Sequence, residues 1–253
     1  MRSKKDQLSP AQAPYARSDD EWKGKEHGDL LAVIKEVKPH VLIGTSTVAG
    51  AFTKEIVQEM ARHVDRPVIL PLSNPTRLHE AKPQDLYDWT DGRVLVATGS
   101  PFPPVKHKGK EYEISECNNS TTFPGIGLGA ILSKTRLVPP SLIVAAVRAL
   151  ASRAPILNGK DSGLLPDVTD VREISVQVAK KVIQQAVEED LAQEKDIPTK
   201  DAELEEWIRE QMWDAEYRAL TLVEGEGATA MARGETGTAS HTRGGKGHRA
   251  AQE

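Results

Sequence analysis

Apolar and polar positions fall into short blocks along the first half of the chain. Val41-Leu42-Ile43-Gly44, Pro67-Val68-Ile69-Leu70-Pro71-Leu72 and Val94-Leu95-Val96-Ala97 are apolar runs. Each is closed by small polar residues: Thr45-Ser46-Thr47, Ser73-Asn74-Pro75-Thr76 and Thr98-Gly99-Ser100-Pro101. Short apolar runs bounded by turn formers predict buried strands. Residues 52–64 lie between the first two, with apolar side chains at 52, 56, 57, 60, 61 and 64. That spacing predicts a helix, with Thr53 as its cap and Glu55 in the first turn. Residues 79–89 have helical character as well. Strand, helix, strand, helix, strand predicts an α/β fold with a parallel sheet and right-handed crossovers.

Other segments are simpler. Residues 28–37 predict a short helix with Asp29 in its first turn. Lys106 to Lys110 reads as a solvated basic turn, and 112–120 as irregular or extended chain. Residues 130–134 are helix-like, and 139–153, 171–189 and 202–213 predict longer helices. Asp170 and Glu173 have the spacing of a capping box. Ile174, Val178, Val182 and Ala186 form a stripe expected to face the core, and Trp207 and Met212 are the expected anchors of the last helix. Residues 1–27 read as a polar linker and 28–223 as the folded part. Residues 224–253, rich in Gly, Ala, Thr and charge without apolar period, read as a disordered tail.

In a parallel sheet all carboxyl ends open on one edge, where α/β sheets bind ligands. One polar tip is an ordinary strand terminus, but three in series predict a cleft. Asn74 offers two donors and an acceptor on a short side chain, and Pro75 keeps it out of helical geometry. Asn118 and Asn119 precede Gly125, Gly127 and Gly129. Paired amides suit a planar carboxylate or carboxamide, and they equally suit an Asx-type turn. The glycines lack the strand-turn-helix context of a dinucleotide fingerprint and predict close helix packing instead.

Composition narrows the function classes. A net charge of −4 argues against a broad nucleic-acid footprint. No run of about 20 apolar residues predicts a membrane span. The single cysteine, Cys117, rules out an internal disulfide and suits a reducing, intracellular setting, without separating cytoplasmic from mitochondrial. The seven histidines are scattered, and no Ser/His/Asp set or metal-ligand spacing stands out. Amides and hydroxyls without an acid, base or metal suit binding better than proton transfer.

Together these residues resemble the malic enzymes, NAD(P)-dependent enzymes that oxidise and decarboxylate malate to pyruvate. Three blocks carry the resemblance in order. They are Leu42-Ile43-Gly44 with Phe52-Thr53, then Pro67-Val68-Ile69 with Leu72-Ser73-Asn74-Pro75-Thr76, then Gly99-Ser100-Pro101-Phe102 followed by Asn118-Asn119 and Phe123-Pro124-Gly125-Ile126-Gly127. Pro166, Glu173-Ile174-Ser175, Trp213 and Glu216-Tyr217 are similar to the family's closing helices. The resemblance implies a partial Rossmann-like domain with C-terminal helices. It implies that Asn74 and Asn118 contact malate, that Asn119 lies near nicotinamide, and that Thr45, Ser46 and Ser73 line the cofactor. The family's catalytic tyrosine and lysine, malate-binding arginine, acidic ligands for Mg or Mn, and Gly-rich dinucleotide turn lie upstream of the matched residues. The resemblance therefore implies no catalytic residue and no metal ligand here, and an inactive isolated chain. NAD and NADP both remain open as cofactor, malate and pyruvate are the implied partners, and the full-length family implies a homo-oligomer. The alternatives are a non-catalytic binding or assembly fragment, and another NAD-dependent dehydrogenase sharing the sheet. Two positions depart from the family: Thr47 stands where glycine is common, and Ser115-Glu116-Cys117 replaces a Gly/Gln-rich lead into the paired amides.

Overall fold

The structure, a computed structural model, describes residues 9–18, 20–25, 29–159 and 161–217. The proposed tail 224–253 lies outside the described residues. The described residues up to Met212 form one compact unit.

The three apolar runs form parallel strands β1 (Val41–Gly44), β2 (Val68–Pro71) and β3 (Leu95–Thr98). Helix α1 (Leu30–Val37) precedes them, α2 (Lys54–His63) links β1 to β2, and α3 (Pro83–Trp89) links β2 to β3. Apolar positions decide which side is buried. Ile34, Leu42, Phe52, Ile56, Val57, Met60, Ile69, Leu86 and Val96 gather into one core between the sheet and these helices. Each such side chain contributes about 1.5–3 kcal/mol when fully buried.

Several local expectations are corrected. Asp29 caps α1 rather than lying in its first turn: its Oδ1 accepts from the Ala32 amide at 2.8 Å. The Thr53 side chain makes no capping bond to α2. Helix α3 begins at Pro83, not residue 79, because Pro suits the first helical turn while His79 and Glu80 are drawn inward. Segment 105–116 is ordered: β4 (Val105–His107) and β5 (Lys110–Tyr112) form an antiparallel hairpin. Its two turn residues, Lys108 and Gly109, both have positive φ, the geometry of a tight primed turn. Then β6 (Ser115–Glu116) joins the main sheet parallel to β3, giving the order β1-β2-β3-β6.

The C-terminal part is a helical layer of α4 (Phe123–Leu132), α5 (Pro140–Ala151), α6 (Val171–Glu188) and α7 (Asp201–Gln211). Helix α4 starts seven residues earlier than the pattern at 130–134 suggested and contains all three glycines. Helix α6 is the axis of the layer. Its Ile174, Val178, Val182 and Ala186 stripe packs with α5, as expected. A second stripe, Val176, Ala179 and Ile183, packs on Leu204 and Ile208 of α7, with Trp207 and Met212 only flanking it. The Asp170–Glu173 capping box does not form. Asp170 makes no side-chain cap bond, and Glu173 is taken by Arg209 and Gln177.

Two of the three glycines fit the close-packing expectation. A Cβ at Gly125 would lie 2.5 Å from Val178 Cβ, and one at Gly129 would lie 2.7 Å from Val182 Cβ. Gly127 faces open space, with nothing within 4 Å of its added Cβ. Gly125→Ala and Gly129→Ala should each destabilise the fold by about 1–3 kcal/mol through overpacking. Gly127→Ala should instead stabilise it by up to about 1 kcal/mol, through helix propensity alone. Urea unfolding of the three variants checks the contrast; equal effects would overturn the packing assignment.

Candidate functional site

The backbone ladder carries all four strand ends to one edge of the sheet. Just past the ends, the Leu72 amide donates to Gly44 O at 2.9 Å, the Gly99 amide to Pro71 O at 3.3 Å and the Cys117 amide to Thr98 O at 2.8 Å. The loops Thr45-Ser46-Thr47, Ser73-Asn74, Gly99-Ser100 and Asn118-Asn119 therefore leave in series from one side. The fourth tip exists because β6 is a strand, so the paired amides reach the same edge as the other three.

A buried carboxylate fastens the first two tips. Glu80 has no exposure. Its Oε1 accepts from the Ser46 amide at 2.9 Å, from Ser46 Oγ at 2.9 Å and from Ser73 Oγ. Ser73 Oγ in turn accepts from the Thr47 amide at 2.8 Å. The Glu80 side chain runs beneath β1 so closely that a Cβ on Gly44 would fall 2.4 Å from Glu80 Cδ. Its backbone also takes part, with Glu80 O accepting from the Phe52 amide at 3.0 Å and His79 O from the Gly50 amide at 3.1 Å. Burial alone would raise the Glu80 pKa, but hydrogen bonds from Ser73 and Ser46 outweigh it and hold the carboxyl below its usual range. Glu80 Oε2 is buried without a hydrogen-bond partner.

The other candidate residues differ in how far they are engaged. Thr45 and Ser46 are exposed, and Ser46 Oγ is held by Glu80 and by the Val48 amide at 3.2 Å. Ser73 is buried. Asn74 is exposed; its Oδ1 accepts from Ser100 Oγ, and its peptide bond to Pro75 is cis. Among the described residues its NH2 group makes no hydrogen bond, so the donor end is what Asn74 presents. Asn118 and Asn119 are exposed. Asn118 forms the Asx-type turn: its Oδ1 accepts from the Ser120 amide at 3.0 Å while its Nδ2 donates to Glu116 Oε1 at 2.9 Å. One donor and one acceptor site of that amide stay available. Glu80 and Ser100 were missed as organisers of the edge. The helical pattern at 79–89 hid Glu80, and the one available signal was Gly44, a glycine inside an apolar strand, which marks a close approach.

A family model described as malic enzyme, NAD binding domain, matches residues 1–187. The chain belongs to this family. It is 45% identical over 224 residues to the NAD-dependent malic enzyme 3 of Bacillus subtilis, covering 86% of this chain and 38% of that protein. It is 45% identical over 230 residues to the mitochondrial NAD-dependent malic enzyme of Saccharomyces cerevisiae, covering 85% of this chain and 34% of that protein. The malic enzyme from Pyrococcus horikoshii superposes with a TM-score of 0.52 at 25% identity, over 68% of this chain and 34% of its own. The chain thus spans little more than a third of the length of these relatives.

Thr47 has φ 57°, in the left-handed region that glycine enters freely and a β-branched residue enters at a cost of about 1–3 kcal/mol. Its bonds to Ser73 and Ser46 O hold it there. Cys117 is half-buried, and burial pushes its thiol pKa up, which suits an inert side chain. Among the described residues, no group of three His, Cys, Asp or Glu could hold a metal ion. No helix among them is long and apolar enough to cross a membrane.

Two acid-sensitive groups adjoin at this edge. His79 is buried, both its ring nitrogens lack partners, and its ring packs on Phe102 at 5.0 Å. Burial lowers its pKa against the opposing pull of Glu80. An unfolded histidine takes a proton near about pH 6.5, whereas folded His79 resists it, so stability should fall as pH drops below that value. The Glu80 contribution is present above about pH 4.3, the unfolded value, and is lost as pH falls through the lower folded one. His79→Leu should flatten the decline between about pH 6.5 and 5 without loss at pH 8. Glu80→Leu, which strands three donors, should cost about 3 kcal/mol or more at pH 7. Thermal unfolding from pH 4 to 8 checks both; an unchanged profile in His79→Leu would contradict the first.

Proposed function

We propose that this chain forms half of the nucleotide cleft of an NAD-dependent malic enzyme and orients malate in it for oxidation and decarboxylation to pyruvate. The observation that carries this reading is the serial alignment of four polar tips at one sheet edge, with Asn74 held at its oxygen by Ser100 and offering its NH2 outward. A held amide donor suits a carboxylate. In this reading Asn74 and Asn118 donate to malate, Asn118 using the amide hydrogen left over from its turn. Asn119 lies at the carboxamide end of the dinucleotide, and Thr45 and the Ser46 backbone border it. Ser73, being buried, acts through the Thr47 amide rather than by touching the cofactor. NAD rather than NADP is proposed because the relatives described above carry that name.

When bound, the dinucleotide supplies the hydride acceptor; what this chain supplies is position. Fixed donors lower the barrier by holding substrate in a reactive orientation instead of leaving that ordering to the reaction itself. The carboxylates near the tips are engaged, Glu80 by Ser46 and Ser73 and Glu116 by Asn118, so in this reading proton transfer falls to other residues. The chain alone should therefore show no NADH formation with malate, NAD and Mg²⁺ or Mn²⁺, and steady turnover in that assay would contradict the reading.

The sharper test uses a hybrid in which this chain replaces the matched stretch of the Bacillus subtilis relative. Asn74→Ala in that hybrid should lower kcat/KM about 10- to 150-fold, the equivalent of one hydrogen bond to a charged ligand at about 1.5–3 kcal/mol. Its unfolding free energy should move by about 1 kcal/mol or less. Full kcat/KM in the variant would reduce Asn74 to a strand terminator.

A further inference from the structure

His79 plays no part in the reading above, yet it is only 5% exposed and neither ring nitrogen finds a hydrogen-bond partner among the described residues. Burying an imidazole without partners is costly, and burying it charged is costlier still. The ring rests on Phe102, with 5.0 Å between centroids and a tilt of 39°. Phe102 belongs to the loop after β3, two residues past the Ser100 that holds Asn74. The backbone of the same segment reaches the other way. His79 O accepts from the Gly50 amide at 3.1 Å, and Glu80 O from the Phe52 amide at 3.0 Å. Gly50 and Phe52 lie on the loop leaving β1, whose Ser46 is bound by Glu80. His79 thus joins loops from the first and third strands, and its own segment follows the second.

Nothing around the ring stabilises a proton on it. Residues 45–53 and 99–104 contain no titratable side chain. The charges nearby in sequence are Arg77, Glu80 and Lys82 on its own segment, and of these Glu80 acts on the ring. The Glu80 side chain runs beneath β1, with Oε1 engaged by Ser46 and Ser73. Burial outweighs its attraction and lowers the His79 pKa. A charged His79 is therefore favoured only where water reaches it, and a ring packed on Phe102 is closed to water.

We propose that His79 is a proton-operated latch on the ligand edge: neutral, it wedges against Phe102 and keeps the loops after the first three strands together; protonated, it swings out and frees the loop after β1. The departing segment takes the His79 and Glu80 carbonyls away from Gly50 and Phe52. A ligand lying across the tips binds the closed form, so proton and ligand oppose one another. This coupling rests on the reading of the edge as a dinucleotide and malate site. Only the open form takes its proton near about pH 6.5, so opening rises as pH falls. From pH 7.5 to 5.5 the opening constant should grow about tenfold. Glu80, held below its usual range, stays ionised across this window.

Amide exchange of the full 253-residue chain at pH 7.5 and 5.5, corrected for the intrinsic pH dependence of exchange, reads the latch at Gly50 and Phe52. The unaltered chain should open about tenfold more at the lower pH, and His79→Leu should abolish that dependence. Equal dependence in both chains would overturn the latch. So would slower exchange of the unaltered chain at pH 5.5, the result expected if the charged ring paired with Glu80 Oε2 instead. Ring-proton NMR of the unaltered chain does not depend on the variant folding. His79 should take up its proton below about pH 6.5, in step with the loss of protection at Gly50, and uptake without that loss overturns the latch. In the hybrid with the Bacillus subtilis relative, NAD at a hundred times its Kd should suppress opening at pH 5.5 about a hundredfold. NAD binding without suppression overturns the coupling to ligand. A hybrid that binds no NAD, while the chain alone shows the acid-driven opening, supports the latch and counts against the proposed function.

Discussion

A carboxylate without exposure to water stays ionised only where hydrogen-bond donors replace its hydration, and Glu80 meets that condition with Ser46 and Ser73. These bonds join loops that follow different strands, and with the bond from the Thr47 amide to Ser73 Oγ they set the spacing between the first two tips. The constraint propagates outward. Ser73, oriented by Glu80, takes the Thr47 amide, and Thr47 is thereby held at a positive φ that its side chain would otherwise avoid. Beneath the carboxylate, residue 44 has room for no side chain. The edge is thus organised from within, and the Asn74 and Asn118 side chains stay exposed on it.

The remaining tips are held by different means. Asn74 is fixed by Ser100 across to the β3 end, and Asn118 by the turn it makes with Ser120 and Glu116. What brings Asn118 to the edge is the short β6, which continues the sheet from β3 after the β4–β5 hairpin. From there the chain runs into α4, whose glycines let it lie directly on α6. The paired amides thus sit where the sheet passes into the helical layer along the chain, and Ser115 also bonds across to Leu165 ahead of α6. The sheet edge and the helical layer each leave apolar side chains exposed, Ile43 on β1, Ile131 on α4 and Val147 on α5.

How much of this was legible in the sequence depended on whether the decisive contact was local. Apolar runs ending in polar tips gave β1, β2 and β3, and the Ile174–Ala186 stripe gave the buried side of α6, because periodicity records burial directly. The family resemblance on Leu72–Thr76 and the paired amides agrees with the family match. Several misses are cases where a distant partner overrode a local rule. Glu173 had the position of a capping-box acid but is taken by Arg209 from α7. Glu80 lay in a helical pattern, yet burial against β1 pulled it out. The two-residue β6 is too short to leave an apolar run, and only its pairing with Ala97 and Thr98 makes it a strand. Gly127 sat in the same repeat as two packing glycines and faces outward, a difference that spacing of two along a helix conceals.

Glu80, acting with Ser73, holds the geometry of the first two tips, and the helical layer depends on it less. Amide hydrogen exchange of Glu80→Leu against the unaltered chain tests it most directly. The account predicts lost protection at Ser46, Thr47, Gly50 and Phe52, whose amides Glu80, Ser73 or the adjoining backbone accept. It also predicts a smaller loss of protection in α5 and α6. Uniform loss across both layers, or unaltered protection at Ser46 and Thr47, would contradict it.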